Sequence, residues 1–298
     1  MGALFCLLSA AAFGAMAVFG KLSYDADVSV ETLLLVRFGM AGVVLLCFAL
    51  ARGALRGLPR RSVLIGLGMG VFGYAAQAGL YFSALTRIDA SLVALILYLY
   101  PVLVMAGAIL LGRESASRRR SWALGIALAG IGLVLSGAAT GRFDLLGGLL
   151  ALGAALVYTC YILVGDRAGV PPLALSALVC VGAFGTFLVG ELFRGGPALD
   201  FAPRGWIWLT ALSLISTVVA ILWFFAGMAR VGPSVASILS IFEPVVTVAS
   251  AALVFGEQLS PVQWAGGILV LSAVVIVQWP AQRKVRPRIV ARTFDRVG

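Results

Sequence analysis

YFSALTRIDASLVALILYLYP (residues 81–101) and FFAGMARVGPSVASILSIFEP (224–244) align without a gap, and that pairing decides the fold. Both open on an aromatic pair; Arg87 falls on Arg230, Ser91 on Ser234 and Pro101 on Pro244. Further on, Glu114 falls on Glu257, and after one gap WALGI (122–126) meets WAGGI (264–268). Coincidence supplies one shared proline in apolar sequence, but it is a poor explanation for an ordered series of matches. The chain repeats itself.

The repeated material is membrane material. Mean hydropathy is +1.08 and only 11% of residues are charged. Apolar runs of about 20 residues recur, the length needed to cross a bilayer as helix. They fall at about 2–20, 30–50, 62–84, 90–112, 121–138, 146–165, 172–192, 206–228, 234–255 and 261–279. The first lacks a basic leading segment and nine comparable runs follow it, so it reads as a spanning helix and not as a signal sequence. The fold class expected is an all-α membrane protein with ten transmembrane helices. Five per half is an odd number, so the second half enters the membrane from the opposite side. The chain then consists of two inverted five-helix repeats, 1–140 and 141–280, and a basic tail, 281–298. Inverted repeats are a hallmark of secondary transporters, with the substrate site near the midplane between the halves.

Charge sets the direction. Of the 22 basic residues, alternate loops give one side Arg52, Arg56, Arg60, Arg61, Arg113, Arg118, Arg119, Arg120, Arg167, Arg230 and the tail from Arg283 to Arg296. The other side receives only Lys21, Arg87, Arg142, Arg194 and Arg204, with Arg37 inside a span. The asymmetry puts both termini in the cytoplasm. The net charge of +10 thus answers to topology and lipid, not to nucleic acid; the tail segment KVRPRIVARTF is expected on the anionic inner leaflet. Cys6, Cys47, Cys160 and Cys180 lie in apolar runs without CxxC spacing and read as small buried hydrophobes. Histidine is absent, which removes zinc-protease motifs and histidine proton relays. No metal or cofactor is expected.

The ten spans, the paired halves and the P…E…W-x-x-G-I pattern at Pro101, Glu114, Trp122, Gly125 and at Pro244, Glu257, Trp264, Gly267 resemble the EamA-type transporters of the drug/metabolite transporter superfamily. The resemblance covers the chain apart from its tail. It implies a carrier of the bacterial inner membrane, usually an exporter of small metabolites such as amino acids. Where the second half reads FGE, the first reads LGRE, with Arg113 inserted at the cytoplasmic helix end.

Two nucleotide motifs are decoys. GMGVFG (68–73) fits G-x-G-x-x-G but lies within an apolar span; Gly66 and Gly70 read instead as a close-packing pair. GAMAVFGK (14–21) has one residue too many for a phosphate loop and runs into Leu22 where Ser or Thr is required. An ATP-driven pump goes with it.

Glu243 is the strongest site candidate, since a carboxylate halfway along a spanning helix is costly and usually faces water or a partner. At about 100° per residue, Ser240, Glu243, Thr247 and Ser250 fall within an arc of about 80°. Pro244 removes an amide and leaves the Ser240 carbonyl without its helical partner, tolerable where a helix lines a cavity. The bland alternative is that Glu243 ties helices through a hydroxyl or Arg37. Tyr100 is the repeat counterpart of Glu243, and Pro101 of Pro244. Tyr98 lies about 200° from Tyr100 on that helix, so the two are not expected to face the cavity together, and with apolar Ile241 as its repeat counterpart Tyr98 ranks below Tyr100. Tyr74, Gln77 and Tyr81 share a face by i, i+3, i+7 spacing and suit a small polar organic substrate, although an interfacial tyrosine belt explains the outer members too. Arg37, with Cys180 as counterpart, either pairs with a substrate carboxylate or snorkels outward. Lys21, Asp25, Asp27 and Glu31 read as a solvated loop.

The function expected is secondary active or facilitative transport of a small organic metabolite by alternating access, with Glu243 coupling a proton or meeting an amine. An intramembrane aspartyl protease needs two midplane aspartates, and every Asp here falls in a loop or at a helix end; an enzyme is not expected. The alternative is a flippase for lipid or lipid-linked substrates, which calls for a lateral opening in place of a closed polar cavity.

Overall fold

The computed structural model describes residues 1–113, 117–136, 144–165 and 169–278. Among these there are helices and turns and no strand. In chain order the helices are α1 (Gly2–Tyr24), α2 (Val30–Ala51), α3 (Arg60–Leu85) and α4 (Ala90–Leu110), then α5 (Arg118–Ser136). They continue with α6 (Leu145–Gly165), α7 (Pro172–Phe193) and α8 (Arg204–Val231), α9 (Pro233–Leu239 and Phe242–Phe255) and α10 (Pro261–Gln278). Eight of these are long and apolar enough to cross a membrane, against the ten spans expected. The remaining two are α5, where Arg118, Arg119 and Arg120 lower the hydropathy of the first turn, and α9, which is split after Leu239. The tail, Arg142, Arg167 and Glu114 lie outside the described residues.

Local chemistry places the ends. Ser29 caps α2, its Oγ accepting from the Thr32 amide at 3.2 Å. Pro172 opens α7, where a missing amide costs nothing. Gly256 closes α9 in the left-handed region at φ +67°, open to glycine at little cost.

In hydrocarbon the hydrophobic effect does not pull helices together, so close backbone approach must. Gly66 and Gly70 on α3 meet α7: a Cβ at Gly66 would lie 2.9 Å from Leu178, and one at Gly70 would strike the Val179 carbonyl, with Gly182 opposite. The packing reading of GMGVFG holds. On α5 and α10, Gly130 and Gly266 approach reciprocally, each Cβ falling within 2.8 Å of the other's carbonyl oxygen. The principal contacts pair α1 with α8 and α9, α2 with α7 and α8, α3 with α6 and α7, α4 with α6 and α9, and α5 with α10. Large apolar side chains such as Phe72, Leu110 and Leu253 face outward, as a lipid-contacting surface requires. Cys47 and Cys160 lie on that exposed surface too, whereas Cys6 and Cys180 are buried; the expectation that all four are buried fails because apolar runs here face lipid as well as core.

Five helices are irregular: α1 is interrupted at Ala15, and the other four come in matched positions. Both α3 and α8 carry a π-helical turn, Met69–Tyr74 and Leu214–Val219. In α8 the Thr217 hydroxyl donates to the Leu212 carbonyl at 3.1 Å, spanning five residues as that wider turn demands. The other pair is α4, interrupted between Leu97 and Tyr100, and α9, interrupted between Leu239 and Phe242. Each break comes just before a proline, Pro101 or Pro244, whose ring removes the amide that would have bonded Leu97 or Ser240.

Candidate functional site

The two breaks face a common cavity. A space of about 90 Å³ is walled by Arg37 of α2, Tyr74, Gln77 and Tyr81 of α3, Tyr98 and Tyr100 of α4, and Glu243, Pro244 and Thr247 of α9, with Tyr158 of α6 and Phe13 of α1. A second space of about 270 Å³ shares Phe13, Tyr74, Tyr100, Tyr158 and Glu243, and extends along Tyr161, Cys180, Ser240, Ser176 and Gln278. All the candidate residues therefore line one space or the other, except Pro101, which is buried within α4.

The centre of the site is a cross-brace between the broken helices. The Tyr98 hydroxyl donates to the Ser240 carbonyl, the group that Pro244 leaves without its helical partner. The same hydroxyl lies 3.5 Å from Glu243 Oε2. The Glu243 amide, three residues on, supplies a second bond to Ser240 O at 3.0 Å. An unpaired carbonyl at this depth is costly, and a phenol from the opposite half answers it. This corrects the low rank of Tyr98. The 200° separation from Tyr100 assumed an unbroken helix, but Tyr98 sits in the interruption with ψ near 3°, and both rings face the cavity, 5.7 Å apart and edge to face.

Further rings extend that wall. Tyr100 meets Tyr158 at 4.8 Å, Tyr158 stacks on Tyr161 at 5.8 Å, Tyr161 meets Tyr74 at 5.5 Å, and Tyr74 meets Phe38 at 5.5 Å. Tyr158 and Tyr161 were missed from sequence. Their signal is the i, i+3 pair in YTCY (158–161), two phenols inside an otherwise apolar span.

Arg37 does not snorkel. It is 2% exposed, its Nε donates to Thr217 Oγ1 at 3.1 Å, and its guanidinium lies over Phe82 and Phe38 at 5.2 and 5.1 Å. Thr217 belongs to the π turn of α8, so that irregularity positions the cation. No ion pair joins Arg37 to Glu243 among the described residues, and the alternative of a direct tie between them drops out. The predicted hydroxyl stripe of α9 is also divided. Thr247 donates to the Gly14 carbonyl of α1 at 2.9 Å, Ser250 to Val246 O at 2.6 Å, and Ser240 Oγ to Ala236 O at 3.0 Å. Those hydroxyls are spent on backbone, which leaves Glu243 as the polar group α9 offers the cavity centre.

A cation and a carboxylate thus face one cavity, separated by tyrosines, with side chains contributed from both halves. Such a site offers both signs of charge to a small molecule.

Known proteins supply the context. The sequence model of the EamA-like transporter family matches residues 1–136 and 145–279. An uncharacterized transporter of Archaeoglobus fulgidus is 27% identical over 91% of this chain and 93% of its own length. The uncharacterized inner membrane transporter YedA of Escherichia coli is 28% identical over 85% of each. The uncharacterized transporter YwfM of Bacillus subtilis reaches 33% over 56% of this chain and 57% of its own. One solved crystal structure superposes with a TM-score of 0.65 at 22% identity, over 92% of this chain and 95% of its own, a likeness of fold alone. With two stretches covering nearly the whole chain matched, the chain belongs to the EamA-like transporter family and is a multi-pass membrane transporter.

Proposed function

We propose that the protein is a secondary carrier, not an enzyme, that exports a small zwitterionic metabolite such as an amino acid by alternating access. In this reading ten helices span the bacterial inner membrane as two five-helix repeats of opposite topology, 1–140 and 141–280, with both termini cytoplasmic. The packing supports it: exchanging α1–α5 for α6–α10 turns the α1–α8 contact into α6–α3, and α1–α9 into α6–α4. The contacts α2–α7, α4–α9 and α5–α10 map onto themselves. That is the contact pattern of two like units related by a pseudo-two-fold axis. The loop charges orient it.

The observation that carries the substrate class is Arg37 and Glu243 facing the same tyrosine-walled cavity without pairing with each other. A carboxylate on Arg37 and an ammonium near Glu243 satisfy both charges, and the rings cover an organic side chain. Each charged contact made in a desolvated site contributes about 1.5–3 kcal/mol. The test is reconstitution of purified protein into liposomes with uptake and counterflow of a radiolabelled amino-acid panel. Saturable counterflow of a zwitterion is expected. Failure of every zwitterion, with transport of an uncharged or singly charged solute, would overturn the class.

A second reading, a lipid flippase, rests on an apolar recess of about 510 Å³ lined by Ile65, Met69, Phe72, Leu156 and Val164, which shares Tyr161 with the larger cavity. Scrambling of a fluorescent lipid in the same liposomes, without amino-acid flux, would favour it.

A further inference from the structure

Glu257 sits between α9 and α10, away from the cavity, in a sharp turn that begins at Gly256. Its Oε1 accepts from Lys21 Nζ at 2.8 Å and from the Ala90 amide at 2.9 Å. Its Oε2 accepts from the Ser91 amide at 3.0 Å and the Ser91 hydroxyl at 2.8 Å. The carboxylate is only 6% exposed. Two of these donors are the first amides of α4, normally served by the residue just before the helix. Asp89 stands at that place, and its side chain makes no capping bond. A carboxylate from the second half therefore caps a helix of the first half, and Lys21, from the end of α1 and over the Phe255 ring, neutralises it.

Other polar contacts at this end also join the two halves. Arg87 pairs with Asp144 at 3.0 Å, Arg194 with Glu31, and the Ala202 amide donates to Ala26 O at 3.1 Å. The larger cavity runs the other way, toward Ser176 in the first turns of α7 and Gln278 at the end of α10. At that end Arg113 Nη1 donates to the Leu163 carbonyl at 2.7 Å and Arg119 Nη2 to Val277 O at 3.5 Å, so both ends carry ties between the halves, and it is the end away from Glu257 that the cavity approaches.

We infer that Glu257 and Lys21 form the clasp of the outer gate, holding α4 against α1 and the α9–α10 turn while the cavity serves the cytoplasm, and releasing α4 when the outer path opens. The inference rests on the alternating-access reading. It follows mechanically because α4 carries Tyr98 and Tyr100 into the cavity, so its anchored N-terminus fixes one wall.

The test uses Ala78→Cys, a cavity position, in the full chain lacking its four native cysteines. An impermeant thiol reagent is applied from outside in intact cells, and from inside in inverted vesicles. Glu257→Gln and Lys21→Met should each raise the outside rate several-fold and lower the inside rate. Lys21→Met leaves the α4 cap in place, so it decides the matter alone if the Gln variant fails to fold. Outside rates unchanged in folded, monodisperse variants would overturn the clasp, as a merely structural bridge alters melting and not sidedness. A rise outside with no fall inside would uphold the clasp and overturn alternating access.

Discussion

Helices α4 and α9 break at the same point of the repeat and offer the cavity different chemistry. Each is interrupted three or four residues before its proline, Pro101 or Pro244. Just before those prolines α4 carries Tyr100 and α9 carries Glu243; within the breaks α4 carries Tyr98 and α9 carries Ile241. The break is set by the missing proline amide, and both helices carry it. The side chains beside it differ, so that one break presents a carboxylate and the other presents the phenol that bonds the Ser240 carbonyl. Two like breaks thereby build an asymmetric site.

The largest expected effect separates the two residues before the prolines. Glu243→Gln keeps shape and removes charge; substrate flux should fall about tenfold or more, the loss of one charged contact of roughly 1.5–3 kcal/mol. Tyr100→Phe keeps the ring contacts with Tyr98 and Tyr158 and should stay within about twofold, since it removes no charge. Flux assays in liposomes read both, and a pH gradient divides the roles of Glu243. A coupling carboxylate loses gradient-driven accumulation in the Gln variant yet keeps exchange; a substrate-holding one loses both. Equal losses at Tyr100 and Glu243 would erase the asymmetry.

Much of this was legible in residues and some was not, for definite reasons. The all-helical membrane fold and the Glu243–Pro244 break follow from hydropathy, the missing proline amide and the cost of a charge in hydrocarbon. The face of Tyr74, Gln77 and Tyr81 follows from spacing, because the stretch from Ala75 onward is regular α-helix. Tyr98 was misjudged because helical-wheel geometry fails where the helix is interrupted, at the same place the proline predicts trouble. Arg37 stayed ambiguous because burial or snorkelling depends on Thr217, 180 positions away. Lys21 looked solvated for the same kind of reason: its partner, Glu257, is 236 residues distant and had been matched to Glu114 only as pattern.

An intermediate effect belongs to the breaks themselves. Tyr98→Phe leaves the Ser240 carbonyl with the Glu243 amide alone, a loss of about 1–2 kcal/mol for a buried group. Melting of the detergent-purified protein should fall by a few degrees, and flux should fall less than in Glu243→Gln. The equivalent change on the other side, Ile241→Val, touches no orphaned group and should leave melting within about 1 kcal/mol of the parent. If Tyr98→Phe melts like the parent, the cross-brace is not holding the two breaks together.

The smallest effect is at the helix starts, where α4 begins with the Ala90 and Ser91 amides that Glu257 caps and α9 begins with Pro233, which has no amide hydrogen to offer. Burial raises the Glu257 carboxyl, but the Lys21 ammonium and the amides and hydroxyl of Ser91 and Ala90 outweigh it and leave the group below the ordinary carboxylate range. A group lowered in the clasped state holds the clasp fully above its ordinary value of about 4.3 and loses that contribution as pH falls through the lowered one. Asp89, the other carboxylate near Lys21 at 3.9 Å, is shifted upward by burial and then by Glu257 itself, with Lys21 opposing. Protonation of Asp89 removes a repulsion and tightens the clasp slightly, whereas protonation of Glu257 loosens it. Outside labelling of Ala78→Cys, taken as a ratio to the same protein with Glu257→Gln to cancel thiol chemistry, should climb toward one as Glu257 takes its proton at low external pH. Asp89→Asn removes that repulsion at every pH and should lower the ratio at neutral pH by less than about twofold, since the Asp89 side chain is half exposed and well screened. A ratio flat across the acid range would mean that the carboxylate charge contributes nothing to holding α4, and that the cap is held by its neutral hydrogen bonds alone.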